Sequence, residues 1–431
     1  MKSRFVVYIP TDTREATAVS FAKVAGIPLF LRPILALNQK GEKAFTVIAP
    51  LSHRRHLLKL WGKTVKNRDI HLNLILTKDS HRISAEEIKE IEGYCEQSTY
   101  LINANYLSPD MPKMLLSHSN AKIGLNEVKM LKPATMRGAV LGFSLQSLDE
   151  AAVKAGGYPL TMQEFIDEMI AGNNQHFISE GGESIVVQRF ADIKMAENIL
   201  TEHIRVNTQT FVAREINKRI SLPISLMLSR MRVAPNSITI INIFIGLSAG
   251  IGAAGLTYKG VLIGAVLFQI ASIVDGCDGE VAKLTFRTSK FGQYIDSLSD
   301  NLSLAAFLTG MMIHQYRVTG SYVSFVFGGL LIVGALLIIL LMIDYLKKRT
   351  DSASFVTYDK EFLQKLSPRN TPRFVLCLIK YFKIFFKKDF FSLTFLITAV
   401  FGILHWWFYC ISICVWAGVF VLAYLREKHY K

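Results

Sequence analysis

Apolar positions change rhythm twice along the 431-residue chain. Through the first 200 residues they come in short runs. Phe5–Ile9, Thr46–Ala49, Leu72–Leu76 and Tyr100–Asn103 read as strands bounded by turn residues, with helical patterns such as Phe30–Leu37 and Ala85–Tyr94 between them. Strands alternating with helices argue for a parallel α/β sheet. Residues 182–190 read as a last strand, and Ala191–Leu200 as the helix that closes the domain. Between Thr210 and Met231 the period becomes helical: Phe211, Ile216, Ile220, Ile224, Leu228 and Met231 recur among Arg214, Lys218, Arg219, Arg230 and Arg232. This predicts a basic amphipathic helix, lying in a membrane interface or packed as a linker against the soluble domain. Pro223 is expected to kink or break it.

Beyond Pro235 the apolar runs lengthen to the ~20 residues that a bilayer crossing needs. Six spans are expected near 237–257, 260–283, 290–313, 321–345, 390–407 and 409–425. The chain thus divides into an α/β domain (1–202), an interfacial linker helix (203–234) and an all-α six-helix transmembrane domain (235–431).

Charge places the two ends. The net charge is +15. Basic residues collect before the first span, between the second and third (Lys283, Arg287, Lys290), after the fourth (Lys347, Lys348, Arg349) and at the C-terminus (Arg426, Lys428, Lys431). The other turns carry little beyond Lys259 and Arg317. Lys and Arg gather in cytoplasmic loops and meet anionic lipid head groups, so a multi-pass protein of the cell membrane with both termini cytoplasmic is expected. Nucleic acid is not an expected partner, because the basic residues flank apolar runs instead of interleaving with aromatics. Phe5–Ile9 is too short for a signal peptide. Cys95, Cys277, Cys377, Cys410 and Cys414 form no CxxC pair, so neither a disulfide framework nor a zinc site is implied.

The second and third spans carry acids where a membrane segment should avoid them. From Asp275 the chain reads DGCDGEVAKLTFRTSKFGQYIDSLSD, ending at Asp300. An ionised carboxylate at mid-bilayer costs about 2.5–3.5 kcal/mol even on the lenient insertion scale. Asp275 and Asp278 are three apart and Asp296 and Asp300 four apart, so each pair shares a helix face. Turned toward each other, the pairs make an oxygen-rich pocket for a hard cation, Mg²⁺ or Mn²⁺. Gly276, Gly279 and Ala282 lack bulk and let a backbone or ligand approach. Lys283 and Arg287 stand where phosphate could be held. The alternatives are carboxylates that pair with basic residues merely to join helices, and an ion pathway. No basic residue is evident at matching depth in the sequence, and transporters more often scatter acids over repeated halves.

Residues 205–431 resemble the CDP-alcohol phosphotransferase family, whose signature is D-x2-D-G-x2-A-R-x8-G-x3-D-x3-D. Asp275, Asp278, Gly279, Ala282, Gly292, Asp296 and Asp300 match at every spacing, and only the arginine departs, being Lys283. Lys keeps the charge but loses bidentate phosphate geometry. Pro235-Asn236-Ser237-Ile238-Thr239 is similar to the element that opens the family's first span. The resemblance implies six helices and displacement of CMP from a CDP-alcohol by a hydroxyl of an acceptor alcohol, in phospholipid or related phosphodiester synthesis. Asp275, Asp278, Asp296 and Asp300 would hold two ions of Mg²⁺ or Mn²⁺, with Asp300 also the general base. Asn236, Thr239, Gly279, Ala282, Lys283 and Gly292 would bind the CDP-alcohol. Membrane lipids and a second copy in a homodimer are expected partners.

Residues 1–200 resemble a sugar-phosphate nucleotidyltransferase domain. Lys23–Leu29 is similar to that family's lysine-containing segment, Asn103-Ala104-Asn105 to its strand end with a metal-binding Asp, and Asp192, Ala196 and Glu197 to its closing element. This Rossmann-like domain, fused to the membrane part, resembles the bifunctional inositol-phosphate cytidylyltransferase/di-inositol-phosphate phosphate synthase proteins. The Gly-rich phosphate loop is replaced by Pro10-Thr11-Asp12-Thr13-Arg14, and Asn105 and Gln188 stand for the two metal carboxylates. Neutral amides hold Mg²⁺ poorly, so the domain is expected to be degenerate. The competing functions are a bifunctional enzyme that also makes its CDP-alcohol, a silent membrane scaffold and an ion-coupled transporter.

Overall fold

Four apolar residues in a row, Phe5-Val6-Val7-Tyr8, can be buried only if both faces of their strand are covered. In the computed structural model, Phe5 and Val7 enter one core with Phe30, Ile34 and Phe45, while Val6 and Tyr8 enter another with Ile88, Leu148 and Phe165. The structure describes all residues except 1, 66–67, 79–81, 120–122, 124–126, 133–139, 157, 172–173, 180–181, 209, 350–387 and 431. Cys377 and Lys431 lie outside the described residues, as do the side chains of Lys347, Lys348, Arg349, Arg426 and Lys428.

The central sheet has seven strands in the order Asn174–Ser179, Glu127–Lys132, Val140–Ser144, Cys95–Asn103, Ser3–Tyr8, Ala44–Pro50, His71–Thr77. It is mixed where a parallel sheet was expected: Val140–Ser144 runs antiparallel to both neighbours, and the remaining pairs are parallel. A run buried throughout carries no directional signal, which is why its sense was not legible. The expected last strand, 182–190, shrinks to Ile185–Val186, which pairs with Tyr106–Leu107 apart from the main sheet. Helices fill the connections. Ala85–Tyr94 opens with a capping box in which Ser84 and Glu87 satisfy each other's backbone N–H groups.

The C-terminal part is helical. Pro235–Ala253, Tyr258–Leu284, Lys290–Thr319, Val323–Arg349, Lys388–Val400 and Leu404–Tyr430 follow in order. Among the described residues, Pro235–Ala253 and Tyr258–Leu284 are long and apolar enough to cross a membrane. Pro235–Ala253 packs against Lys290–Thr319 through small residues. A Cβ on Gly250 would meet the Ala306 carbonyl, and one on Gly310 would meet the Gly250 carbonyl, so the two backbones touch.

The chain forms two compact units. One comprises Met1–Asn207, Leu226–Arg232 and Ala282–Arg287; the other comprises Thr208–Ser225, Val233–Val281 and Thr288–Lys431.

Lys218–Arg230 is a continuous helix through Pro223, so of the expected kink or break, the break does not occur. Pro223 lies on its exposed side, so the carbonyl left without an N–H donor faces outward. The opposite side is pinned by Glu280, which is 1% exposed. The Glu280 carboxylate pairs with the Lys218 ammonium and accepts the Ser221 and Ser225 hydroxyls, each at 2.6 Å. Lys218, Ser221 and Ser225 recur at three- and four-residue steps and therefore share one face, leaving Ile220, Ile224 and Met227 exposed. Glu280→Ala should destabilise the purified protein by about 3–5 kcal/mol, because it strands a buried ammonium and two hydroxyls. Thermal and denaturant melts of wild type and variant would measure that loss, and unchanged stability would contradict the anchoring.

Candidate active site

Two helices bring the carboxylates together because the motif spacing puts each pair on one face. Oxygens of Asp275, Asp296 and Asp300 lie within 4.8 Å of one another. Like charges at that distance repel by roughly 3 kcal/mol per pair at an effective dielectric near 20, so the arrangement requires positive charge. Part of it comes from Lys388, whose ammonium sits 3.2 Å from Asp275 Oδ1 and also bonds Asp300. The expectation that these aspartates lack a basic partner is corrected here. Lys388 heads a helix 88 residues beyond Asp300, and only the fold shows that it reaches them. Among the described residues, one ammonium faces three carboxylates, an all-oxygen donor set with surplus negative charge, which fits a hard divalent cation. Asp300 is the more open of the two lysine partners, its side chain 38% exposed against 20% for Asp275.

Asp278 is placed differently from the other three. It is buried, and one of its carboxylate oxygens accepts the hydroxyl of Thr239. One helical turn on from Thr239, the buried Asn242 donates its amide to Asp275 Oδ1 at 3.0 Å and to Ser299 Oγ at 3.4 Å. The Asn242 carbonyl oxygen has no partner among the described residues. Asn242 was absent from the expected site, although its position three residues after Thr239 on a helix was a legible signal. Glu280 was missed too, because its role depends on serines 55–59 residues away in sequence.

The expected substrate-binding residues divide into two groups. Asn236 Oδ1 would lie 3.1 Å from a Cβ on Gly292, so those two residues adjoin. Space is open around Gly279, where a Cβ would meet nothing within 4 Å, whereas a Cβ on Gly276 would lie 3.3 Å from the Lys218 ammonium. Ala282 and Lys283 belong to the sheet-containing unit. Lys283 there lines a cavity of about 210 Å³ with Arg32, His203 and Phe286.

In open α/β sheets ligands bind beyond the carboxyl ends of the strands. Here one cavity at those ends, lined by Ile9, Ile48, Ile83 and Met162, holds about 10 Å³. That is room for about one water. Asn105 is buried, accepting the Ser20 hydroxyl at 2.6 Å and donating to the Ala16 carbonyl at 2.9 Å. Asp192 accepts the backbone N–H groups of Gln188 and Arg189, so its carboxylate caps a turn. Gln188 is exposed.

The chain was compared with known proteins. A bifunctional IPC transferase and DIPP synthase of Thermococcus kodakarensis is 34% identical over 118 residues, 27% of this chain and 26% of that protein. One of the same description from Aquifex aeolicus is 33% identical over 120 residues, 28% of this chain and 27% of that protein. An archaetidylinositol phosphate synthase of Pyrococcus horikoshii is 31% identical over 84 residues, 20% of this chain and 43% of that protein. The chain therefore spans about a quarter of the length of the first two relatives. Among solved structures, the inositol-1-phosphate CTP transferase from T. maritima has a TM-score of 0.35 at 12% identity, covering 46% of this chain and 97% of that one. Residues 232–401, in the helical C-terminal region, match the model of the family described as CDP-alcohol phosphatidyltransferase.

Proposed function

We propose that the protein is a metal-dependent CDP-alcohol phosphotransferase embedded in a membrane. The observation that carries this reading is the meeting of Asp275, Asp296 and Asp300 from two helices within 4.8 Å, at the positions of the family motif. A hydroxyl of the acceptor attacks the phosphorus that bears the donor alcohol. The bond from that phosphorus to the CMP oxygen breaks, CMP leaves, and a phosphodiester joins the two alcohols. Divalent cations bound by the aspartates would neutralise the diphosphate and the leaving CMP. Asp300, the more open carboxylate, takes the hydroxyl proton. Asp278, fixed by Thr239, and Asp275, fixed by Asn242, complete the carboxylate set without needing to reorganise. Asn236, Gly279, Ala282, Lys283 and Gly292 bind the cytidine diphosphate portion. The phosphorylated-polyol and archaeal-lipid chemistry in the relatives' names makes a polyol phosphate the leading acceptor class.

The membrane reading rests on an inverted distribution of polarity. In Pro235–Ala253, Thr239 and Asn242 are buried while Ile241, Phe244 and Ile251 are 55–77% exposed. A soluble protein would do the reverse. The helices are accordingly read as six spans in the cell membrane with both termini cytoplasmic. The outward apolar face of Lys218–Arg230 favours its lying in the interface over service as a linker. The sheet domain is read as silent in cytidylyl transfer, since Asn105, standing for a metal carboxylate, is engaged with the Ser20 hydroxyl and the Ala16 carbonyl.

Three outcomes test these assignments. Asp300→Asn should lower CMP release about 10²–10⁴-fold, the span of a general base's contribution; wild-type rates under saturating Mg²⁺ would remove Asp300 from the role. Lys283→Arg should retain or improve affinity for the CDP-alcohol, because it supplies fork geometry to phosphate, and a complete loss of turnover would show a need for an ammonium there. Full-length protein given CTP, Mg²⁺ and a panel of polyol phosphates should form no pyrophosphate while still releasing CMP from a suitable CDP-alcohol. Acceptor-dependent pyrophosphate would instead show a bifunctional enzyme.

A further inference from the structure

The helix Tyr258–Leu284 carries Asp275 and Asp278 and ends immediately after Lys283. Its end is a Schellman motif: the Arg287 N–H bonds the Ala282 carbonyl at 2.9 Å and the Phe286 N–H bonds the Lys283 carbonyl at 3.4 Å. The left-handed residue of such a motif is usually glycine, yet here it is Phe286, at φ +56°. A non-glycine residue in that region costs roughly 1–3 kcal/mol and persists where its surroundings hold it.

The surroundings are specific. The Phe286 ring packs against the core that contains Phe30 and Leu31, and the Arg32 guanidinium lies 5.5 Å from its centroid. Arg68 donates to the Phe286 carbonyl, and Arg32 donates to the Leu284 carbonyl at 3.1 Å. Arg32 is 5% exposed and also donates twice to the Val24 carbonyl, at 3.1 and 2.7 Å. Burial lowers its pKa from the ordinary value, with the Glu197 carboxylate opposing the shift. Burying a guanidinium costs several kcal/mol before its bonds offset it, so a residue spent on two carbonyls marks a segment whose position matters.

The other side of this contact is the turn that resembles the nucleotidyltransferase lysine segment. Val24 offers its carbonyl to Arg32, and Ala25 donates its N–H to the buried Glu197 at 3.0 Å. Glu197 in turn pairs with Arg230. Gly26, at φ +80°, lies so close to the Ser229 carbonyl that a Cβ would collide with it. Through Arg32 and Glu197 that turn is linked to Leu284 and Arg230, in the segments 282–287 and 226–232 of the same compact unit.

We infer that Arg32 and Arg68 are positioning residues for CDP-alcohol binding: they clamp the Leu284–Phe286 turn and thereby fix Lys283. The inference rests on the CDP-alcohol reading, in which Lys283 binds the nucleotide, and gives these two residues of the sheet domain a task in it. Arg68 is the better probe, since it is half-buried and makes one bond where Arg32 makes several.

The test uses purified full-length protein, CMP binding by calorimetry with Mn²⁺ present, and a separate Mn²⁺ titration. Arg68→Met should weaken CMP about tenfold or more, the effect of losing a charge-assisted hydrogen bond, while Mn²⁺ affinity and the melting temperature stay at wild-type values. Arg68→Lys, which can still donate to one carbonyl, should recover most of the CMP affinity. Phe286→Gly relieves the backbone strain but removes the ring, and should also weaken CMP. Wild-type CMP affinity in Arg68→Met or Phe286→Gly would overturn the clamp, as would a loss in Arg68→Met that tracks a lowered melting temperature. Wild-type protein that fails to bind CMP at all would overturn the CDP-alcohol reading, and the clamp with it.

Discussion

Five carboxylates on two neighbouring helices, in a part of the chain otherwise apolar, set the terms for everything around them. Each needs a positive charge or a hydrogen-bond donor within reach, because an uncompensated buried charge costs as much as a domain can spare. Four of the five meet one in the structure: Glu280 takes Lys218, Ser221 and Ser225; Asp278 takes Thr239; Asp275 takes Asn242 and Lys388; Asp300 takes Lys388. These partners come from the helices Lys218–Arg230, Pro235–Ala253 and Lys388–Val400. Compensating the acids therefore fixes which helices must surround them. The polar interior and the helix arrangement follow from one requirement.

Compensation is complete for Glu280 and incomplete for the cluster of three. That difference separates a structural acid from a reactive site. Glu280 meets one ammonium and two hydroxyls, a matched set that leaves it nothing further to bind. Among the described residues, Asp275, Asp296 and Asp300 have one ammonium beside them, that of Lys388, so the electrostatics there still favour another cation. Residues 232–401 match the CDP-alcohol phosphatidyltransferase model, and the proposed phosphotransfer would give that surplus a use, since cations and phosphates would enter together.

The acidic site was legible because helical spacing is short-range information. Asp275/Asp278 and Asp296/Asp300 announce shared faces without any knowledge of tertiary structure. Lys388 was not legible: nothing in the order of residues says that the head of a later helix returns to the second and third. The strands Ser3–Tyr8 and Ala44–Pro50 were readable from their apolar runs, but the reversed sense of Val140–Ser144 was not, since burial on both faces looks the same in either direction. Pro223 misled for a related reason. Its cost is local, whereas the Glu280 contacts that keep the helix intact lie more than fifty residues away in sequence. The N-terminal substitutions Asn105 and Gln188 could be seen directly, while the small cavity lined by Ile9, Ile48, Ile83 and Met162 required the sheet to be assembled.

Gly250 and Gly310 place two main chains in direct touch between the helices Pro235–Ala253 and Lys290–Thr319. Side chains that meet across an interface can change rotamer and let their helices slide, but bare peptide groups have no such freedom. The pair consequently behaves as a single stiff frame, with Thr239 and Asn242 mounted on one rail and Asp296 and Asp300 on the other. Adjustment of the site to cargo of different size is left to the long side chains that enter from elsewhere, Lys388 foremost, while the distance between the rails stays constant.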